Sequence, residues 1–286
     1  MSFTISDGFL RQGNRRVDFV KSIFTSGAFA SSPKIAVIHY TAGASARSSA
    51  DWFRNRDNKG SSAHVVVDRD GSVIQCVAFD TIAWHAGKSR WRNVAGTDLV
   101  GLNQTSFGIE LANWGDLRPT GNGWASHTGV PIADPVLAVH RNGNPPNGSR
   151  TPIGWEPFPR AQIETAAGIV RALIASYGVN EIVGHDDIAP VRKSDPGPAF
   201  DMTRFRTWVF GGRQDDGDTL VKVNVANGLN LRNGPGTQFA MIETLVNGTM
   251  LEPREADGNW LQVNVLNAAG APRATGWVNS GFTTIA

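Results

Sequence analysis

Hydrophobic and polar positions change pattern twice along the chain. Lys34–Tyr40 (KIAVIHY) is a short apolar run ending in a polar-aromatic pair, which predicts a buried strand. Ser106–Ala112 (SFGIELA) and the brief Glu181–Val183 predict two more. Ser45–Asp57 places Ala46, Ser49, Ala50 and Phe53 at helical spacing behind a Thr-Ala-Gly loop. Ala63–Asp68 and Ser72–Val77 flank Arg69-Asp70-Gly71, a hairpin with an Asp-Gly turn. Arg160–Tyr177 carries Ile163, Ala166, Ala167, Val170, Leu173 and Ile174 on one helical stripe, with Gly178 as its stop. Asp201–Phe210 reads as a short closing helix, after a Pro/Gly-rich loop at Ala189–Pro198. Trp114–Pro159 lacks a period and reads as a long loop or a hairpin insertion.

The texture changes at the polar, glycine-rich stretch GGRQDDGD. Residues 212–218 are taken as a linker between 1–211 and 219–286. Beyond it, Leu220–Val225, Leu229–Arg232, Met250–Glu252, Trp260–Asn264 and Gly276–Val278 are short alternating runs separated by turn residues, with no helical stripe. The expected architecture is an α/β unit, a mixed central sheet flanked by helices, followed by a small all-β barrel.

Composition narrows the function. The 286 residues are 41% hydrophobic and 18% charged, which excludes a disordered chain. A net charge of +2 gives no bulk-charge argument for nucleic acid. The single cysteine, Cys76, excludes an internal disulfide and a Cys-rich zinc site; it is expected to be a small buried apolar residue. No apolar stretch is long enough to span a membrane. Met1–Arg16 has no apolar run behind a basic start, so a secretory signal is not expected and synthesis is placed in the cytoplasm.

Three candidate metal ligands stand at strand ends and in a loop: His39, His185 and Asp195. Two imidazoles and a carboxylate, with a fourth position open to water, make a catalytic zinc set. A histidine at a strand end serves a structural role as readily, and the His-Glu-x-x-His signature is absent.

The segments IAVIHYTAG, SSAHVVVDRDGSVIQ, IAWHAG, SFGIELAN and VGHDDIAPVRKSDPGPAF follow one another in that order. Together they resemble the zinc-dependent N-acetylmuramoyl-L-alanine amidases, a family that includes muropeptide-recycling amidases and peptidoglycan recognition proteins. The resemblance covers about residues 30–210. It implies that His39, His185 and Asp195 hold Zn2+, that Glu110 is the catalytic carboxylate, and that Lys193 is the catalytic lysine. It implies cleavage of the amide between N-acetylmuramic acid and L-alanine in peptidoglycan or muropeptides. His64 and His85 are placed as substrate-binding residues of the cleft, with core packing as the alternative for each. Asp186 and Asp187 are expected to cap the loop. His127 and His140 are expected to be exposed.

Downstream, LNLRNGPGT, LVNGT, GNWLQV and TGWV resemble a bacterial SH3 domain over about Thr219–Ala286. That implies cell-wall binding, with Trp260 and Trp277 expected in the barrel core. The combination favours an endolysin-like lytic enzyme acting on the wall after release or delivery. The alternatives are a non-catalytic peptidoglycan-binding protein and a cytosolic recycling amidase.

Overall fold

The computed structural model describes residues 2–210, 220–268 and 272–285. The linker expected at 212–218 lies outside the described residues. The chain forms two compact units, Met1–Phe210 and Gly211–Ala286.

The first unit is built on a six-stranded mixed sheet. Its strands are β1 (Asp18–Phe19), β2 (Ile35–Tyr40), β3 (Val65–Val67), β4 (Val73–Gln75), β5 (Ser106–Leu111) and β6 (Glu181–Gly184), in the order β6-β2-β5-β3-β4-β1. β6, β2, β5 and β3 run parallel, and β3 turns back antiparallel into β4. The turn between β3 and β4 needs Gly71: its φ is +84°, and a Cβ there would stand 2.9 Å from the Ala161 carbonyl oxygen.

Strand alternation gives the sheet two different faces. Ile38, Phe107, Ile109 and Leu111 pack beneath the helix α2 (Arg160–Tyr177), against Ala166, Ala167, Ile169, Val170 and Leu173. Gly178 ends α2 in the left-handed region at φ 68°. On the opposite face Val37 and Val183 pack with Ala86, Leu102 and Ile188, and this face carries the polar groups described below. The helix α1 (Ala46–Trp52) starts on a Ser45–Ser48 capping box. It stops five residues before the expected end at Asp57, where the Asn58 side chain satisfies the helix end by donating to the Trp52 carbonyl at 3.1 Å.

Two parts of this unit were not resolved by periodicity. A hairpin, Phe3–Ser6 with Phe9–Gln12, buries Phe3 and Leu10 in the main core. Its signal is Asp7-Gly8, both with positive φ (53° and 76°), a two-residue turn matched to strand twist. The Trp114–Pro159 insertion folds as small antiparallel sheets, Arg118–Thr120, Gly123–Ala125 and Pro131–Ile132 in one and Val136–Ala138 with Ile153–Trp155 in another. Arg69 anchors it by donating to both Glu156 carboxylate oxygens, at 2.7 and 2.9 Å.

The second unit is all-β. Its seven strands are β7 (Val221–Val223), β8 (Leu229–Arg232), β9 (Met241–Leu245), β10 (Met250–Asp257), β11 (Trp260–Leu266), β12 (Pro272–Asn279) and β13 (Thr283–Ile285), in the order β9-β8-β12-β11-β10-β7-β13. Val223, Leu231, Leu245, Leu251, Val263, Val265 and Val278 form its core. The expectation that Trp260 and Trp277 fill this core is corrected. Leu261 and Val278 take the inward positions, so period-2 alternation turns both tryptophans to the other side, where they are half-buried.

Candidate active site

The strand registers level three functional groups at one end of the sheet. Glu110 on β5 pairs directly with His39 on β2, and Gly184 pairs with Ile38, which sets His185 level with His39. All three lie at the carboxyl ends of parallel strands, the usual place for a site in an open α/β sheet. His185 opens the short helix α3 (His185–Ile188), and the chain then loops back so that Asp186 N–H donates to the Asp195 carbonyl at 2.8 Å. That bond seats the Asp195 side chain against both histidines.

The result is a tight triangle. His39 Nδ1 stands 2.9 Å from His185 Nδ1 and 2.9 Å from Asp195 Oδ2, and His185 Nδ1 is 3.0 Å from the same oxygen. All three residues are buried. The hydrogen-bond network says what faces into the triangle. His185 Nε2 lies 3.2 Å from Ala86 O, which accepts, and 3.3 Å from Arg192 Nη2, which donates; the tautomer that binds a metal through Nδ1 is the one that donates to Ala86 O. His85 Nε2 likewise donates to Ser106 O at 3.4 Å, so its Nδ1 accepts from His39 Nε2 at 3.0 Å and His39 Nδ1 is bare as well. In those tautomers three lone-pair donors converge without a proton between them. These three atoms lie near enough to one another to share one ion. The residues fit a Zn2+ ion.

Electrostatics agree. Burial, then the nearness of His185, lowers His39 to about 4, keeping its imidazole neutral. Burial opposes the charge of Asp195, yet the closeness of His185 and His39 holds its carboxyl well below the usual carboxylate range. Burial, then the charge of Asp195, raises Glu110 to about 8, and Lys193 works in the opposite direction. Glu110 Oε2 is buried and has no hydrogen-bond partner among the described residues. A carboxylate so placed is free to take a proton from a group entering beside the triangle. Lys193 is positioned by its backbone N–H, which donates to Ala189 O at 2.9 Å.

The expectations for the other histidines divide. For His64 the structure takes the second alternative, a core residue. It is fully buried, stacked between Phe29 and Phe79, with Nδ1 accepting from Gly108 N–H and Nε2 donating to Thr81 O. His85 is buried against His39 rather than open to substrate, and both its ring nitrogens are occupied. His140 is corrected: it is buried and pairs with Asp186 at 2.9 Å. Arg141 reaches both Asp186 and Asp187 at 2.7 Å. Asp187 caps the turn by accepting from Gly184 N–H at 2.7 Å. His127 is exposed and pairs with Asp116. Sequence reasoning missed the bond between Tyr40 and Ser194, 2.9 Å long, which ties together the neighbours of two candidate ligands.

The buried His64 gives a pH test of the core. Burial lowers it from 6.5 to about 4, so between these values the unfolded chain binds a proton that the native state refuses. Stability is fully present above pH 6.5 and falls as pH drops toward 4, by about 3 kcal/mol from this residue. The fall in unfolding free energy across this window, from urea titrations at each pH, should be smaller by about that amount in His64→Phe.

Comparison with known proteins places this geometry in a family. Residues 29–198 match the family model described as N-acetylmuramoyl-L-alanine amidase, and residues 227–284 match the bacterial SH3 domain. The chain belongs to the N-acetylmuramoyl-L-alanine amidase family, with a bacterial SH3 domain at its C-terminal end. It is 35% identical over 150 residues to the 1,6-anhydro-N-acetylmuramyl-L-alanine amidase AmpD of Salmonella typhimurium (strain SL1344), covering 52% of this chain and 57% of that protein. It is 32% identical over 176 residues to the N-acetylmuramoyl-L-alanine amidase AmiD of Escherichia coli (strain K12), covering 58% of this chain and 50% of AmiD. The chain therefore spans little more than half the length of these relatives. A solved selenomethionine AmpD derivative aligns with a TM-score of 0.49 at 26% identity, over 72% of this chain and 98% of that one. Among the described residues no helix is long and apolar enough to cross a membrane.

Proposed function

We propose that the first unit is a zinc-dependent amidase that hydrolyses the bond between N-acetylmuramic acid and L-alanine. The observation that carries this reading is the convergence of three bare donor atoms beside a partnerless carboxyl, in a chain of this family. His39, His185 and Asp195 hold the ion. Zinc, when bound, supplies a Lewis acid and brings the pKa of water at the site down to about 7. Glu110 accepts the proton of the attacking water as its oxygen bonds to the lactyl carbonyl carbon. It then delivers that proton to the L-alanine nitrogen as the C–N bond breaks. The Lys193 ammonium faces the negative charge that develops on the carbonyl oxygen, a contribution of about 3–4 kcal/mol for a well-placed donor.

Cationic side chains stand beside the site. An open pocket of about 370 Å³ adjoins the site, lined by Lys88, Arg90 and Arg192 with Ile188, Pro190 and Val191. Arg192 donates to the carbonyls of Ala86 and Lys88, both at 3.0 Å, which fixes its charge next to His185. These cations suit the carboxylates of a peptide stem. The double substitution Lys88→Glu/Arg90→Glu is expected to raise KM roughly tenfold, with kcat nearly unchanged, since two exposed charge pairs contribute up to about 1 kcal/mol each. An unchanged KM on a soluble muropeptide would remove the pocket from substrate binding.

The SH3 unit supports polymeric wall as the natural substrate, by holding the amidase at high local concentration on it. This favours an endolysin-like lytic role over the recycling of soluble muropeptides. Deleting residues 212–286 is expected to weaken pelleting with sacculi, while hydrolysis of a soluble muropeptide stays within about twofold. Equal pelleting by both proteins would contradict the wall-binding role.

A further inference from the structure

We propose that His85 is a positioning residue that fixes the orientation and tautomer of His39, and that Gly108 exists to make room for it. The inference rests on the reading of His39 as a metal ligand. It concerns a residue outside the three candidate ligands.

The chain of bonds runs in one direction only. Ser106 Oγ donates to the Leu102 carbonyl at 2.6 Å, so it meets His85 Nε2 as an acceptor at 3.3 Å. The Ser106 carbonyl accepts from the same nitrogen at 3.4 Å. Both partners require a proton on His85 Nε2, and a neutral imidazole then presents a lone pair at Nδ1. That lone pair takes the proton of His39 Nε2 at 3.0 Å. His39 can answer it only by leaving Nδ1 bare toward His185 and Asp195.

The placement of the ring is built into the fold. The His85 ring meets the His39 ring nearly edge-on, at 83° and 5.2 Å between centroids. It lies over β5 at the one residue without a side chain: a Cβ on Gly108 would stand 2.4 Å from His85 Cγ and 2.8 Å from Nδ1. The φ of Gly108 is not in the left-handed region, so the need for glycine is space rather than backbone conformation. The backbone of the same segment is held by Asn103, whose Oδ1 accepts from His85 N–H at 3.0 Å and Ala86 N–H at 2.7 Å. The Ala86 carbonyl in turn lies 3.2 Å from His185 Nε2, placed to accept from it. Two consecutive residues therefore orient both imidazoles, one with its side chain and one with its backbone. Partners of this kind contribute about 10–100-fold to metal affinity.

The test reads zinc directly, by competition with a chromophoric chelator on the full chain, and the visible spectrum of the cobalt(II)-substituted protein. His85→Gln removes the acceptor facing His39 and is expected to weaken zinc binding about 10–100-fold and to change the cobalt spectrum. His85→Asn keeps an acceptor at the Nδ1 position and is expected to hold zinc within about threefold of the original chain, with its spectrum. Gly108→Ala displaces the ring and is expected to behave like His85→Gln while both histidines remain. Zinc affinity of His85→Gln equal to the original, or of His85→Asn as poor as His85→Gln, would overturn the proposal. An original chain that binds no zinc would overturn instead the metal reading on which it rests.

Discussion

Replacing Glu110 with glutamine is expected to lower kcat by about 10²–10⁴-fold, the range for losing a positioned general base and acid, while zinc stays bound. The expectation follows from its surroundings. Glu110 lies opposite His39 in the sheet register, so it faces the triangle without belonging to it. Its Oε2 has no hydrogen-bond partner among the described residues to hold its proton balance fixed. Burial and the Asp195 charge raise it to about 8, close enough to neutral pH to take up and release a proton. A dication in the triangle opposes that shift, so in the loaded enzyme the range of the ionised, proton-accepting form extends below pH 8. The glutamine variant keeps the shape and loses the proton site. Steady-state kinetics on a soluble muropeptide, with zinc content measured on the same sample, checks both halves. Near-original turnover would remove Glu110 from the chemistry.

Asp195→Ala acts one step earlier. Asp195 Oδ2 touches both bare imidazole nitrogens, at 2.9 and 3.0 Å, and it is the only carboxylate in the triangle. Its removal leaves two neutral ligands and no charge to balance the ion. Zinc affinity should fall by more than the 10–100-fold typical of an outer partner, and hydrolysis should drop to the level of chelated enzyme. Zinc analysis after dialysis tests this. A variant that retains one zinc per chain would show that the ion is held elsewhere.

The sequence carried the sheet and the ligands well for a physical reason. β2 and β5 are buried on both faces, so they read as continuous apolar runs, and α2 shows an unbroken helical stripe. His39, Glu110 and His185 are then fixed by register once those elements pair. The same two-sided burial hid His64. Its alternation with Val65 and Val67 separates faces without telling which is open, because neither is. His85 was ambiguous because its partners, His39, Ser106 and the gap at Gly108, come from two separate strands.

The insertion was illegible because its strands are two or three residues long and its anchors are distant in sequence. Arg69 meets Glu156, and His140 meets Asp186, only in the folded chain. In the C-terminal unit the strands were visible and the role of two side chains was not. A large aromatic residue suggests a core, but the alternation of β11 and β12 gives the interior to Leu261, Val263 and Val278. Size argued one way and period the other, and period decided.

The most direct measurement incubates the full chain with peptidoglycan sacculi, with and without a zinc chelator, and identifies the released products by mass spectrometry. Stem peptides with a free L-alanine N-terminus, lost on chelation and restored by added zinc, are the predicted result. Release of stems that is indifferent to chelation, or the absence of new L-alanine N-termini from a protein that holds zinc, would contradict the account.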